Sequence, residues 1–296
     1  MSAQAHEIKL QLDYVFIGNR IFVLEEMINR NLNIKKIFAV RDSHLDRQLA
    51  ERKFSYDTVD TKEQLLDKLL SLHFDVLISN GCPYILPTTG YKRQNVILVN
   101  IHPSHLPDLR GKDPVPGSLL LKRDSGATCH LIDDGIDTGD IVSQVKIPYT
   151  HDLDAGILYQ LSFLAEKEVF NKAFERNFIG IEEQKNSDKL VYFSRSIKDQ
   201  LIDFQTDDLE LIIRKITAFG NKSQGVRFTA AGEEFKAFSA QKLNNPYLLK
   251  KIQGYRENQV IFCYEDVVVL RKSNQILKLE KVIGPMSSIK QYVVLG

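Results

Sequence analysis

Along the first half of the chain, short apolar runs alternate with stretches in which apolar residues recur at helical spacing. Tyr14-Val15-Phe16-Ile17 reads as a strand closed by Gly18, and Phe22, Leu24, Met27 and Ile28 then mark one face of a helix. Lys36-Ile37-Phe38-Ala39-Val40 predicts a second strand, Thr61-Lys62-Glu63-Gln64-Leu65-Leu66-Asp67 a capped helix start, and residues 75–79 a third strand. With residues 96–100 and 127–132, strands arrive roughly every twenty to thirty-five residues, the rhythm of βαβ units around a parallel sheet. Residues 154–178 predict a long helix, with Ile157, Leu158, Leu161, Leu164 and Val169 as its apolar stripe. The pattern then changes. After a helix over residues 207–219, the segments 225–228, 234–243, 259–264, 267–272 and 276–282 are short, β-rich and separated by turn residues, which predicts a small antiparallel barrel or curved sheet.

The fold class expected is therefore α/β: a Rossmann-like, mostly parallel domain over residues 1–188, a linker and helix over 189–224, and a smaller β-rich, open-barrel-like domain over 225–296. A chain of 296 residues accommodates one large and one small unit. The three cysteines, Cys82, Cys129 and Cys263, have no metal-binding spacing and read as reduced thiols. No apolar run approaches the roughly 20 residues of a spanning helix, and Met1 to Leu10 lacks the apolar centre of a signal peptide, so a cytoplasmic enzyme without a membrane partner is expected. Gly18-Asn19-Arg20 lacks the full glycine pattern of a dinucleotide site, which argues against NAD.

Candidate chemistry is concentrated in two blocks. Val96 to Pro107 is an apolar strand that delivers Asn100, His102 and Ser104 at its end, and Gly126 to Gly139 is a strand that empties into an acidic, glycine-punctuated loop. Asn100 and His102 flank Ile101, so on an extended segment both point to the same side. An amide N–H and an imidazolium can together hold a carbonyl oxygen that becomes negative as a nucleophile adds, a donor worth roughly 3 kcal/mol at the transition state. A carboxylate such as Asp137 beside the imidazole would keep it protonated and accept a proton from the attacking group.

In order and spacing, Asn100, His102, Ser104, Leu106, Pro107, Arg110 and Gly111, followed by Gly126, Thr128, His130, Asp137 and Gly139, resemble the signature of the folate-dependent formyltransferases. The resemblance implies transfer of a formyl group from N10-formyltetrahydrofolate to an amine, with no metal. It makes Asn100 and His102 the pair that polarises the formyl oxygen and Asp137 the proton acceptor, while Ser104 and His130 orient neighbours. His105 departs from relatives, where the position is often aliphatic, and reads as a loop histidine. Asn80 to Pro87 resembles the segment that lines the pterin pocket, so Leu77, Ile85, Leu86 and the loop residues Asp133, Asp134, Gly135 and Ile136 are the expected folate contacts.

The acceptor is read from charge and from the second half of the chain. Net charge is +1; residues 189–296 carry 17 basic and 11 acidic residues, a weak footprint for a nucleic acid, whose binding draws on several phosphate contacts. Phe219-Gly220-Asn221-Lys222-Ser223-Gln224-Gly225 stands where the tRNA-type relatives have a Pro-Trp-Pro-Gly element, and the chain has no tryptophan. The expectation is a nucleotide-linked amino sugar, dTDP-linked by resemblance, with no nucleic-acid partner. Ser104, Arg110, Lys112 and Tyr192 are the expected substrate contacts: two cations for a diphosphate and a ring for a base, although Arg110 serves equally well as a brace for its loop. The resemblance also implies a homodimer serving surface polysaccharide (lipopolysaccharide O-antigen) synthesis. Methionyl-tRNA formyltransferase, formyltetrahydrofolate hydrolase and a catalytically silent binding module are the alternatives.

Overall fold

A computed structural model describes residues 11–88, 96–185 and 190–296. The chain forms two compact units. The first comprises the described residues up to Pro114, Asp124–Pro148 and Gln160–Phe193; the second comprises Val115–Arg123, Tyr149–Tyr159 and Ser194–Gly296.

In chain order the elements up to the end of the sheet are β1 (Asp13–Gly18), α1 (Phe22–Asn29), β2 (Asn33–Val40), α2 (His44–Glu51), β3 (Asp57–Val59), α3 (Lys62–Leu70), β4 (Val76–Asn80), β5 (Ile97–His102), α4 (Pro114–Leu121), β6 (Ser125–Leu131) and β7 (Ile141–Ile147). A long helix, α5 (Ala155–Glu175), follows. Local chemistry sets the helix starts. Ser43 and Thr61 cap α2 and α3, their hydroxyls accepting from Asp46 N at 3.1 Å and Gln64 N at 3.2 Å. The strands form one seven-stranded sheet in the order β3-β2-β1-β4-β5-β6-β7. β1 is buried on both faces, which explains its unbroken apolar reading. Tyr14 and Phe16 join a cluster with Val76, Ile78, Val169 and Phe170, whereas Val15 and Ile17 join Leu77, Leu86 and Leu98 on the opposite face.

Two strands depart from the parallel expectation. The first five pair in parallel, but β6 runs antiparallel to β5, and β7 antiparallel to β6. Pattern alone could not separate these cases, because a buried antiparallel strand such as Ala127-Thr128-Cys129 is as apolar as a parallel one. β3, only three residues long, and β7, an edge strand broken by Ser143 and Gln144, escaped the strand reading.

The second unit contains α6 (Leu209–Phe219), β8 (Val226–Ala230), β9 (Glu233–Ala237), β10 (Ser239–Leu243), α7 (Pro246–Lys251), β11 (Val260–Tyr264), β12 (Val267–Lys272) and β13 (Gln275–Glu280). Asp208 caps α6, accepting from Leu211 N at 2.7 Å. β8 and β9 make a hairpin, and the other strands an antiparallel sheet in the order β10-β13-β12-β11. The unit is β-rich as expected, but residues 234–243 break into two strands at Phe238, and α7, begun by Asn245 and Pro246, was not anticipated. Among the described residues no helix is long and apolar enough to cross a membrane.

Candidate functional site

The sheet register assembles the polar groups. Ser79 of β4 lies opposite Asn100 of β5, and His130 of β6 lies opposite Asn100 on the other side. Because side chains alternate along β5, Asn100 and His102 emerge on the face that also carries Leu98. β6 runs antiparallel to β5 and ends beside Val99, below the end of β5, so its last residues do not reach the end of β5. The loop after β6 reaches it instead. Ile132 N donates to Leu98 O at 2.9 Å and Leu131 N to Asp140 O at 2.9 Å, pinning where the loop departs and returns. Between these pins Asp137 adopts φ +54°, a left-handed conformation that aspartate tolerates better than most residues, and turns its carboxylate back onto the sheet.

Four side chains then converge. Asn100 Nδ2 lies 3.2 Å from His130 Nε2 and 3.3 Å from Asp137 Oδ1, while Asn100 Oδ1 accepts from Ser79 Oγ at 2.9 Å. His102 Nδ1 stands 3.6 Å from Asp137 Oδ2, and His130 Nε2 stands 3.5 Å from Asp137 Oδ1. Backbone groups fix the rest: Gly111 N donates to Asp137 Oδ2 at 3.0 Å, and His102 Nε2 lies 3.0 Å from the carbonyl of Leu109. That last contact requires a proton on Nε2, which leaves Nδ1 of a neutral ring as a lone pair facing the carboxylate. Gly111 has φ +107°, and a Cβ there would come within 2.8 Å of Phe193 O, so glycine is needed where the loop presents its N–H.

Burial changes the expected charge state. Desolvation lowers the pKa of His102 below its ordinary value and outweighs the opposing pull of Asp137 and the Leu109 carbonyl. The sequence argument weighed only the carboxylate and so expected an imidazolium; burial pulls the ring toward its neutral form. For Asp137, burial pushes the pKa upward, but His102, His130 and the Gly111 N–H more than offset it and hold the carboxyl well below the usual carboxylate range. The site therefore pairs an ionised, partly exposed acid with a buried imidazole drawn toward its neutral form.

The other expected contacts separate into two groups. Ile85 and Ile136 are exposed, Leu86 is nearly buried beneath the first loop, and Leu77 lies within the core, beneath any ligand surface. The two loops are joined: Thr88 N donates to Asp134 Oδ1 at 3.2 Å and its hydroxyl donates to the same oxygen, while Asp133 accepts from Gly135 N and Thr138 Oγ1 and braces the turn. Among the expected substrate contacts, Ser104 and Arg110 are internal. Ser104 is fully buried and donates to Asp108 O at 2.8 Å. Arg110, 1% exposed, donates to Gln184 Oε1 at 2.8 Å and to the Tyr192 hydroxyl at 2.8 Å, which makes it the brace of its loop. Lys112 and Tyr192 are exposed. Sequence reasoning missed Ser79 and Gln184. Gln184 donates to the carbonyls of Asp137 and Gly139 at 3.0 and 2.7 Å and holds the loop that carries Asp137 from a segment with no motif of its own.

Residues 35–174 match the family described as formyl transferase. A methionyl-tRNA formyltransferase of Lactobacillus acidophilus is 24% identical over 249 residues, spanning 77% of this chain and 78% of that protein. Among solved structures, an N-formyltransferase from Helicobacter canadensis in complex with folinic acid and dTDP-3-aminofucose superposes with a TM-score of 0.67 at 21% identity, covering 92% of this chain and 99% of that one. HypX from Aquifex aeolicus, solved with tetrahydrofolic acid, gives a TM-score of 0.62 at 16% identity; 91% of this chain is covered, but the chain spans only 44% of HypX. These structural likenesses establish a common fold.

Proposed function

We propose that the protein, whose residues 35–174 match the formyl transferase family, moves the formyl group of N10-formyltetrahydrofolate to the amine of a nucleotide-linked amino sugar, dTDP-linked in the first instance. The observation that carries the proposal is the convergence of Asn100, His102 and Asp137 around one buried point, reached from two strands and a loop. The donor fits the pair of tied loops, where the exposed Ile85 and Ile136 offer apolar surface for a flat pterin and Leu86 forms the floor. When bound, it supplies an electrophilic formyl carbon.

The chain's own residues supply the remainder. The Asn100 amide donates to the formyl oxygen as charge develops, and Ser79 keeps its carbonyl turned away so that the N–H edge faces the reaction. The amine attacks as the free base. Its proton passes to Asp137 Oδ2 and is stabilised by the lone pair of His102 Nδ1, whose other nitrogen is locked to the Leu109 carbonyl; the bond between the formyl carbon and N10 then breaks, and that proton is returned to N10 as tetrahydrofolate leaves. A carboxylate with so low a pKa is a poor final resting place for a proton, and the neighbouring imidazole corrects that. Burial preserves the neutral imidazole needed for this role.

The sugar acceptor is favoured by the near-complete mutual coverage with the dTDP-3-aminofucose complex, the weak positive charge and the absence of tryptophan. The curated relatives favour a second reading, methionyl-tRNA formylation. One assay separates them: the protein, N10-formyltetrahydrofolate and either a panel of dTDP-, UDP- and GDP-amino sugars or charged initiator tRNA. Formylated sugar is the expected product. Formyl-methionyl-tRNA alone would replace this reading, and formate released without any amine would identify a hydrolase.

A further inference from the structure

The loops leaving β1 and β4 part where the strand order reverses, since β2 and β3 lie to one side of β1 and β4 to the other. In open α/β sheets this reversal opens a crevice beyond the carboxyl ends of the strands, and ligands gather there. Asn19 and Arg20 leave β1 at that point and Gly81 leaves β4; a Cβ on Gly81 would lie 3.1 Å from Arg20 Nε, so the loops are in close contact. Arg20 is 20% exposed on its side chain and is paired through Nη1 with Glu166 of α5, which is wholly buried. Its guanidinium also lies over Phe163, 5.9 Å from the ring centroid, and Phe163 stacks on Phe22 at 4.4 Å.

This pair is not arranged as a stability device. Glu166 Oε2 and the adjacent Asn80 Oδ1 are both buried without a hydrogen-bond partner. Burying a carboxylate costs several kcal/mol unless its remaining lone pairs are satisfied, and here one oxygen is left over. Burial raises the pKa of Glu166 against the pull of Arg20, in keeping with that cost. Folds tolerate such an expense where a group must be held for a ligand. Arg20 also lies close enough to the catalytic imidazole for its charge to oppose protonation of His102. An arginine presents five donors in a rigid fork, and Glu166 engages one edge of it.

We propose that Arg20, fixed at the crevice by Glu166, is the cation that takes the diphosphate of the acceptor and so sets its amine against Asn100, His102 and Asp137. This assignment rests on the sugar-nucleotide reading above. Arg20 is a binding residue and Glu166 a positioning residue. The glutamyl carboxylates of the folate donor share the same anionic chemistry and are the rival occupant.

Steady-state kinetics with the full-length protein test the assignment. Arg20→Ala alone would strand a buried carboxylate and could unfold the chain, so the variants are Glu166→Gln, Arg20→Lys and the double variant Arg20→Ala/Glu166→Gln, each checked by thermal melting. The expected result is an acceptor KM raised roughly tenfold in Glu166→Gln and roughly a hundredfold in the double variant, with partial rescue in Arg20→Lys. Turnover at saturation falls by far less than the acceptor KM rises, and the donor KM stays near wild type, a split that a merely structural role would not produce. An unchanged acceptor KM in folded variants overturns the assignment, and a rise confined to the donor KM assigns Arg20 to the folate carboxylates instead. The two readings fail separately. If wild-type protein formylates no amino sugar, the sugar reading is lost, and calorimetric titration with dTDP still decides the clamp: binding lost in the double variant supports it, whereas no binding by wild type removes it as well.

Discussion

In the second unit, Lys215 and Lys272 are buried but closely partnered. Lys215 Nζ donates to Asp207 Oδ2 at 2.5 Å and Leu201 O at 2.8 Å, and Lys272 Nζ donates to Phe204 O at 2.6 Å and Asn258 Oδ1 at 3.2 Å. In the first unit, Asp137 stands 3.6 and 3.5 Å from the rings of His102 and His130, and one Asn100 amide is divided between two partners at 3.2 and 3.3 Å. Each buried lysine ends on a backbone carbonyl, at 2.8 and 2.6 Å, that helps to lock the fold, whereas the side-chain contacts among Asn100, His102, His130 and Asp137 are all 3.2 Å or longer and leave donors and lone pairs for another molecule. The difference sets the buried lysine networks of the second unit apart from the candidate reaction site of the first.

The contrast can be broken most forcefully at the site. Asn100→Ala, His102→Ala or Asp137→Ala is expected to lower turnover by roughly a hundredfold to a thousandfold each, with melting temperatures close to wild type, as read by product formation and calorimetry. Lys215→Met should do the reverse. Removing one member of a buried pair leaves the other uncompensated, so unfolding free energy should fall by about 3–5 kcal/mol in denaturant titration, while the folded fraction keeps its turnover. If Lys215→Met instead abolished activity in folded protein, the division between the two networks would be wrong.

Gly111→Ala should follow, combining a left-handed φ with a close approach to Phe193 O and costing about 1–3 kcal/mol together with displacement of the N–H that holds Asp137. Ser79→Ala is expected to be milder, lowering turnover roughly tenfold because Asn100 loses its orienting partner but remains in place. The smallest effect concerns pH. His102 is held below its ordinary pKa of 6.5, so the neutral ring persists as the solution is acidified, and kcat/KM should stay flat from pH 8 down through about 6.5 and fall only below it. A rate that climbs as pH drops through that window would mean the imidazolium is the active form.

Much of this arrangement is legible in the residues. The end of β5 announces itself because Asn100 and His102 interrupt an apolar run, and the acidic loop because five of its positions from Asp133 to Thr138 are polar or glycine. The direction of β6 is not legible, since burial on both faces gives the same apolar reading for either sense of the strand. Nor is the fate of Arg110. An arginine in a loop reads as a cation for a substrate, and only Gln184, more than seventy positions away, turns it into a buried brace. The balance that sets the protonation of His102 is only half legible for a related reason: a neighbouring carboxylate is visible in a motif, whereas the depth of burial that opposes it depends on the whole fold.

The most direct measurement is a single-turnover reaction of wild-type protein, His102→Ala and Asp137→Asn with N10-formyltetrahydrofolate and a dTDP-linked amino sugar, followed by mass spectrometry of the sugar. The account predicts a gain of one formyl group with wild type and almost none with either variant, although all three still bind the donor. Equal formylation by the variants, or none by wild type with any amine offered, would contradict it.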